Sequence, residues 1–160
     1  MHQKKTFSSR LASAVPWIFF AGAWFLIGYL VKEGNSFWRS YLQAIVLFRA
    51  GLQGLWIAFG HLIFPLRTAR RMGLTSPGFQ TEIGAVHLAF GITGVLSFFY
   101  PEWVIPVALI VAIFYGGSVY AQIRNRIIEK KATPANSGPM FYYTLLMSLS
   151  LFIAIFMVWY

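Results

Sequence analysis

Four ionisable side chains interrupt the long apolar stretches of this chain: Arg49, His61, Glu82 and His87. Ionisable groups are costly to bury at membrane depth, so such residues are the first candidates for function. A histidine beside a glutamate in a partly dry site can take up and release a proton near neutral pH. The alternative is that His61 and Glu82 only satisfy each other, or contact water and lipid headgroups.

Hairpin geometry places several polar residues at one depth. The stretches that hold His61 and Glu82 run antiparallel about a short turn, which brings both residues near the same membrane boundary. The same reasoning applied to the following stretches adds Gln122 and Thr144. The sequence therefore predicts a polar intramembrane site made of His61, Glu82, Gln122 and Thr144.

Arg49 lies deeper, roughly 12 Å inside the outer end of its helix at 1.5 Å per residue. Its long side chain could extend outward to the interface. The alternative is an anion site for a lipid phosphate, a substrate carboxylate or an acid of a partner subunit. Gln53 follows one turn later and lines the same face.

A stripe of small residues surrounds His87. Gln80, Gly84, Gly91 and Gly94 share its helix face, and small residues let a second helix approach closely. We expect His87 to form a hydrogen bond between helices. A metal ligand paired with His61 is the alternative, but two histidines and one glutamate without tight spacing do not resemble a zinc site.

No catalytic or nucleotide-binding motif accompanies these residues, and the chain contains no cysteine. Disulfides, cysteine-ligated zinc and thiol catalysis are therefore excluded. The sequence predicts no cofactor and no metal, and it provides no positive indication of an enzyme.

The elements that position these residues are five apolar stretches of spanning length. Hydrophobic residues make up 58% of the 160 residues, charged residues make up 11%, and the mean hydropathy is +0.65. A bilayer core of about 30 Å needs about 20 apolar residues per helix. We predict an all-α polytopic bundle forming one integral membrane domain over residues 1–160, with helices near 13–31, 41–64, 80–100, 103–123 and 140–160.

Basic residues predict the orientation of the bundle. Two of them, Lys32 and Arg39, fall on one side, and ten fall on the other: Lys4, Lys5, Arg10, Arg67, Arg70, Arg71, Arg124, Arg126, Lys130 and Lys131. Basic loops are typically cytoplasmic. This places the N-terminus in the cytoplasm and the C-terminus outside, in a prokaryotic cytoplasmic (inner) membrane. An aromatic belt then marks the outer interface: Trp38, Tyr41, Tyr100, Trp103, Trp159 and Tyr160.

The net charge of +9 is then explained by basic cytoplasmic loops, and no nucleic-acid partner is expected. Arg67, Arg70 and Arg71 lie on a short segment between two spans. Each such cation gains about 1 kcal/mol beside anionic headgroups of the inner leaflet. A specific acidic partner is the alternative.

From the end of its second stretch onward, the chain resembles an uncharacterised family of small prokaryotic multi-pass membrane proteins. Four ordered motifs carry the resemblance: GHLIFP at 60–65, SPGFQTEIG at 76–84, LAFGITGVL at 88–96 and NSGPMFY at 136–142. The family pattern would have histidine at Gln122, aspartate at Thr144 and asparagine at His87. Relatives would then carry a His–Glu–His–Asp layer for a metal or protons, of which this chain keeps His61 and Glu82. Small bundles of the DoxX type are an architectural analogy only.

Three functional hypotheses follow. The first is a non-enzymatic accessory or assembly subunit of a larger membrane complex, in which Arg49 meets an acid of a partner subunit. The second is an oligomeric carrier or channel for a small solute, lipid or proton, with His61, Glu82 and Arg49 as stations. A membrane enzyme acting on a lipid or quinone ranks third.

Overall fold

The computed structural model describes residues 7–71, 78–129 and 139–160, and every element in these ranges is helical. The helices are α1 (Phe7–Lys32), α2 (Phe37–Ile45), a π-helical stretch called the π segment (Val46–Leu52), α3 (Gln53–Ile63), α4 (Pro65–Arg71), α5 (Gly78–Phe99), a 3₁₀ turn (Pro101–Trp103), α6 (Val104–Glu129) and α7 (Pro139–Trp159). Several predicted features lie outside the described residues: Lys4, Lys5, residues 76–77, Lys130, Lys131 and residues 136–138.

Five of the described helical stretches are long and apolar enough to cross a membrane, as the sequence predicts. They are Ala14–Lys32, Phe37–Ile63, Gly78–Phe99, Pro101–Ile128 and Phe141–Trp159. The second stretch starts earlier than predicted because Ser36 is its N-cap and accepts a hydrogen bond from the Arg39 amide. The fourth continues past the predicted residue 123, since a helix can carry Arg124 and Arg126 beyond its apolar part.

The π segment interrupts the second span at its centre, which was not predicted. The Gln53 amide donates to the Phe48 carbonyl, five residues earlier instead of four. A π-helical turn accommodates one extra residue and so rotates the two flanking helices relative to each other. Arg49 lies in the middle of this segment and is buried there.

Glycines allow the second and third spans to approach backbone to backbone. A Cβ atom added to Gly94 would lie 2.6 Å from the Gly51 nitrogen, and one added to Gly54 would lie 3.1 Å from the Gly91 nitrogen. A Cβ atom added to Gly84 would instead meet a side chain, at 2.8 Å from the Leu62 Cγ. The small-residue stripe of α5 therefore packs against α3 and the π segment.

An apolar core fills the half of the bundle that contains the turn at Gly34, the Pro101–Trp103 turn and Tyr160; we call this half the hairpin end. Leu42, Val111 and Leu151 are each at most 1% exposed there. The Ser148 hydroxyl donates to the Ala112 carbonyl at 3.0 Å and joins α7 to α6. By contrast, only 11% of the apolar part of the first span is buried inside the bundle, whereas 56% of the apolar part of the second span is buried.

Candidate functional site

Arg49 points into the bundle of its own chain. It is 6% exposed, and its Nη1 donates a hydrogen bond of 3.1 Å to the Pro16 carbonyl of α1. Its Cζ lies 4.6 Å from the ring centroid of Tyr143 on α7 and 5.9 Å from that of Phe20 on α1. The guanidinium is thus held by one carbonyl and two aromatic faces, and it does not extend to the surface.

No carboxylate compensates this buried charge in the part of the chain that the structure describes. Glu33, Glu82 and Glu102 are all exposed, and none forms an ion pair with Arg49. A guanidinium has five N–H donors, of which one is used by Pro16. Arg49 therefore retains donors for another acceptor.

Polar side chains lie around the hydroxyl end of the Tyr143 ring. Arg49, Tyr115 and Gln53 all approach the Tyr143 hydroxyl, and the rings of Tyr115 and Tyr143 are 6.3 Å apart. Neither the Tyr143 hydroxyl nor Gln53 Oε1 has a well-aligned hydrogen-bond partner among the described residues. We call these four residues (Arg49, Gln53, Tyr115, Tyr143) the Arg49 cluster.

A pair of histidines extends from the Arg49 cluster toward the opposite end of the bundle. The rings of His87 and Tyr115 are 6.4 Å apart, and those of His87 and His61 are 6.3 Å apart. The His61 side chain lies beside Gln80, which is 1% exposed. Both histidines keep a buried Nδ1 without a partner among the residues that the structure describes. The structure thus connects α3, α5, α6 and α7 through buried polar side chains.

The structure does not bring Glu82 to His61, unlike the predicted pairing. Glu82 is exposed, and Gln80 takes its place beside His61. The reason is helical phase: Gln80, Gly84 and His87 share the buried face of α5, and a residue two positions after Gln80 points about 200° away from it. The antiparallel course of two helices predicts how deep a residue lies in the membrane, but it does not define the direction in which the side chain points.

The other predicted site residues do not form a single cluster. Gln122 Oε1 is buried on α6 without a partner among the described residues, and Thr144 is buried on α7 next to Tyr143. Gln53 belongs to the Arg49 cluster. His87 contacts the rings of Phe90 and Phe114 as well as those of His61 and Tyr115.

Six buried polar atoms lack a partner in the described part of the chain: Gln53 Oε1, His61 Nδ1, Gln80 Oε1, His87 Nδ1, Gln122 Oε1 and the Tyr143 hydroxyl. They come from four of the five spans. Buried polar groups in native proteins are nearly always hydrogen-bonded, so a set of orphans requires water or a ligand. This interior is therefore suited to polar occupants.

Sequence reasoning did not identify Tyr115 and Tyr143 as site residues. Tyrosine is common at membrane interfaces, so its type alone gave no signal. The position of Tyr115 in the middle of the fourth span, away from both interfaces, was the available indication.

Metal binding has no obvious ligand set here. No three histidine, aspartate or glutamate side chains within the described ranges lie close enough to hold an ion. The basic segment is separate from the cluster: Arg67 and Arg70 are exposed on α4, and the side chain of Arg71 is outside the description.

The model of a family of unknown function, DUF6790, matches residues 13–160. The chain belongs to this family. The resemblance to an uncharacterised family is thereby confirmed, whereas its individual motifs and the DoxX analogy stay predictions. No curated protein and no solved structure is significantly similar to the chain. Membership in DUF6790 assigns no activity, which is therefore argued from the site, and the helical membrane architecture rests on the five apolar spans.

Proposed function

We propose that this protein is a membrane carrier that binds a small anionic molecule at Arg49. The observation that supports the proposal is a guanidinium that is 6% exposed within a membrane-spanning bundle and is paired with no acid of the described chain. A buried charge without a counter-ion is strongly unfavourable. An anionic ligand would remove this penalty.

The neighbours of Arg49 suit an oxyanion. Arginine binds carboxylate or phosphate through two parallel N–H donors, and one carbonyl contact leaves donors available. The hydroxyls of Tyr115 and Tyr143 and the amide of Gln53 can donate as well. Their place beside the Arg49 guanidinium would let all four side chains contact one small ligand.

Alternation between the two sides is supported by the uneven polarity of the interior. Buried polar side chains of the histidine pair lie on one side of Arg49. On the other side, Leu42, Val111 and Leu151 pack the interior of the hairpin end. A carrier needs a barrier on one side of its site at any time, and this packing would provide it.

Flux measurements test the proposal. Purified protein in proteoliposomes is expected to take up radiolabelled benzoate or acetate, and Arg49→Gln is expected to reduce the initial rate at least tenfold. The matched control is Arg39→Gln, which changes an exposed arginine of the same span outside the cluster. Equal uptake by the parent protein and Arg49→Gln, or no uptake of any tested anion by the parent, would reject the carrier.

An accessory subunit is the second candidate, and the exposure of α1 favours it. Phe25 of α1 is 80% exposed and Trp17 is 72% exposed. Such a surface can contact lipid or a second protein. Native mass spectrometry after gentle extraction tests this role: a stoichiometric second polypeptide supports it, and a homo-oligomer alone rejects it.

A further inference from the structure

A line of neighbouring side chains connects Arg49 to the far end of α3. The Arg49 Cζ lies 4.6 Å from the Tyr143 ring centroid, and the Tyr143 and Tyr115 rings are 6.3 Å apart. His87 follows at 6.4 Å from Tyr115, and His61 follows at 6.3 Å from His87. His61 lies in the last turn of α3. The line therefore leads from the middle of the second span toward one membrane surface.

His87 is the histidine nearest to the Arg49 cluster. It is 7% exposed, and its Nδ1 is buried without a partner among the described residues. Its own helix touches the helix of Gln53, because a Cβ atom added to Gly54 would lie 3.1 Å from the His87 carbonyl oxygen. Imidazole is the side chain whose charge ordinarily changes between pH 5 and 8. A group that can take up a proton thus lies beside the candidate anion site with a nitrogen available.

No negative charge of the described chain faces His87. α3 presents His61, α6 presents Tyr115, and the π segment carries Arg49. The arginines of α4 are exposed, and so is Glu82, the carboxylate of α5. A proton on His87 would therefore add a second buried positive charge to that of Arg49, and like charges repel strongly in a medium of low dielectric constant. A bound anion would attract both cations and offset their repulsion.

From this arrangement, we propose that the carrier binds one proton at His87 together with one anion at Arg49 and moves the two as a neutral pair. This inference rests on the proposed anion site and adds the coupled ion to it. The imidazole of His87 becomes imidazolium when the anion binds, and it loses the same proton when the anion leaves. The role differs from the hydrogen bond between helices that the sequence predicts for His87.

His61 provides the path by which the proton reaches His87. An imidazole can accept a proton at one nitrogen and release one from the other, and the His61 Nδ1 also lacks a partner in the described part of the chain. Gln80 lies beside His61, and its buried Oε1 is likewise without a partner there. Buried acceptor atoms therefore continue from His87 to the end of the second span.

Equilibrium binding of radiolabelled benzoate at pH 6 and pH 8 tests the coupling on full-length protein in phosphatidylcholine nanodiscs. A carboxylate stays ionised throughout this range, so the ligand itself does not titrate. Because proton and anion favour each other reciprocally, the parent is expected to bind at least about tenfold more tightly at pH 6. In His87→Gln, which has no titratable group at this position, the two affinities should differ by less than about twofold. The matched control is His61→Gln, which should retain the pH dependence of the parent.

Proton uptake provides a second measurement that needs no variant to fold. In weakly buffered solution at pH 7, the parent is expected to take up about one proton for each benzoate bound, as linkage requires. Uptake is followed with a pH indicator dye in the same nanodiscs. Arg39→Gln, which changes an exposed arginine, should take up as many protons as the parent.

Three outcomes separate the claims. Benzoate binding that is equal at pH 6 and pH 8 and takes up no proton would overturn the coupling and keep the anion site. A pH dependence that persists in His87→Gln but disappears in His61→Gln would overturn the assignment of the proton to His87. Absence of saturable benzoate binding by the parent at either pH would reject the anion site itself, and with it the coupling.

Discussion

At the scale of single residues, the conformation around Arg49 is as informative as its charge. π-Helical turns are rare, and they occur frequently at functional sites. Here the π segment turns Arg49 toward Pro16 and Tyr143 while Gly51 and Gly54 on either side of its C-terminal end still face α5. The packing glycines and the inward-pointing charge therefore lie on different faces of the same interrupted span.

The closest backbone approach provides a prediction about stability. Gly94→Ala would place a methyl group against the backbone of Gly51, which cannot move aside as a side chain can. Overpacking of this kind costs about 1–3 kcal/mol. The expected result is a lower midpoint of thermal unfolding in detergent. Gly117→Ala is the control, because no atom of another described residue lies within 4 Å of its added Cβ; an equal midpoint for both variants would contradict the packing.

Gln53 provides a second prediction, in which a substitution weakens ligand binding without lowering the stability of the fold. Its Oε1 is buried without a partner in the described part of the chain, and an unsatisfied buried polar group costs about 1–3 kcal/mol. Gln53→Met removes that acceptor at similar size. The variant is expected to unfold at the same or a higher temperature while binding benzoate several times more weakly. Lower stability together with unchanged binding would show that Gln53 serves the fold alone.

At the scale of elements, α1 is the spanning helix with the smallest buried share, 11% of its apolar part. The Arg49–Pro16 hydrogen bond is one of its anchors to the second span. Arg49→Leu removes this bond, so the amides of α1 are expected to exchange with deuterium faster, measured by mass spectrometry in nanodiscs. Arg39→Leu should leave their exchange unchanged. Equal exchange of α1 in Arg49→Leu and the parent would show that apolar contacts alone hold the helix.

The elements also show how far the sequence alone could lead. Length and hydropathy were enough to predict five spans. The antiparallel course of α3 and α5 was enough to predict that His61 lies at a similar depth to the first turns of α5. The π segment could not be predicted, because no residue pattern in VLFRAGL at 46–52 distinguishes a π-helical turn from an α-helical one. Glu82 and Gln80 differ only in direction, which depends on tertiary packing. The sequence-based prediction therefore chose the charged Glu82, which lies near the correct depth, instead of the neutral Gln80 that the structure buries.

At the scale of the whole molecule, apolar residues and buried serines fill the hairpin end, whereas the larger buried polar side chains lie in the other half. Leu42, Val111 and Leu151 fill the first half. His61, His87 and the Arg49 cluster occupy the second. The five spans were predictable because the bilayer selects them by composition. The polar interior was only partly predictable, since tyrosine and glutamine become site residues through burial on facing helices.

The orientation of the bundle is a prediction at this scale. The chain contains no cysteine, so single cysteines can be introduced and labelled without a background signal. In intact cells, Tyr160→Cys is expected to react with a membrane-impermeant maleimide, whereas Lys5→Cys should react only after the membrane is opened. The physical reason is the retention of basic loops on the cytoplasmic side. The reverse labelling pattern would invert the proposed topology.

The central claim is that Arg49 binds an anion inside the membrane, and equilibrium binding of radiolabelled benzoate to protein in nanodiscs tests it most directly. Saturable binding is expected for the parent and for Arg39→Gln. Arg49→Gln should bind at least tenfold more weakly, which corresponds to about 1.4 kcal/mol or more. Arg49→Lys should recover part of the affinity, because it restores the charge without the planar pair of donors. Equal binding by the parent and Arg49→Gln would contradict the claim.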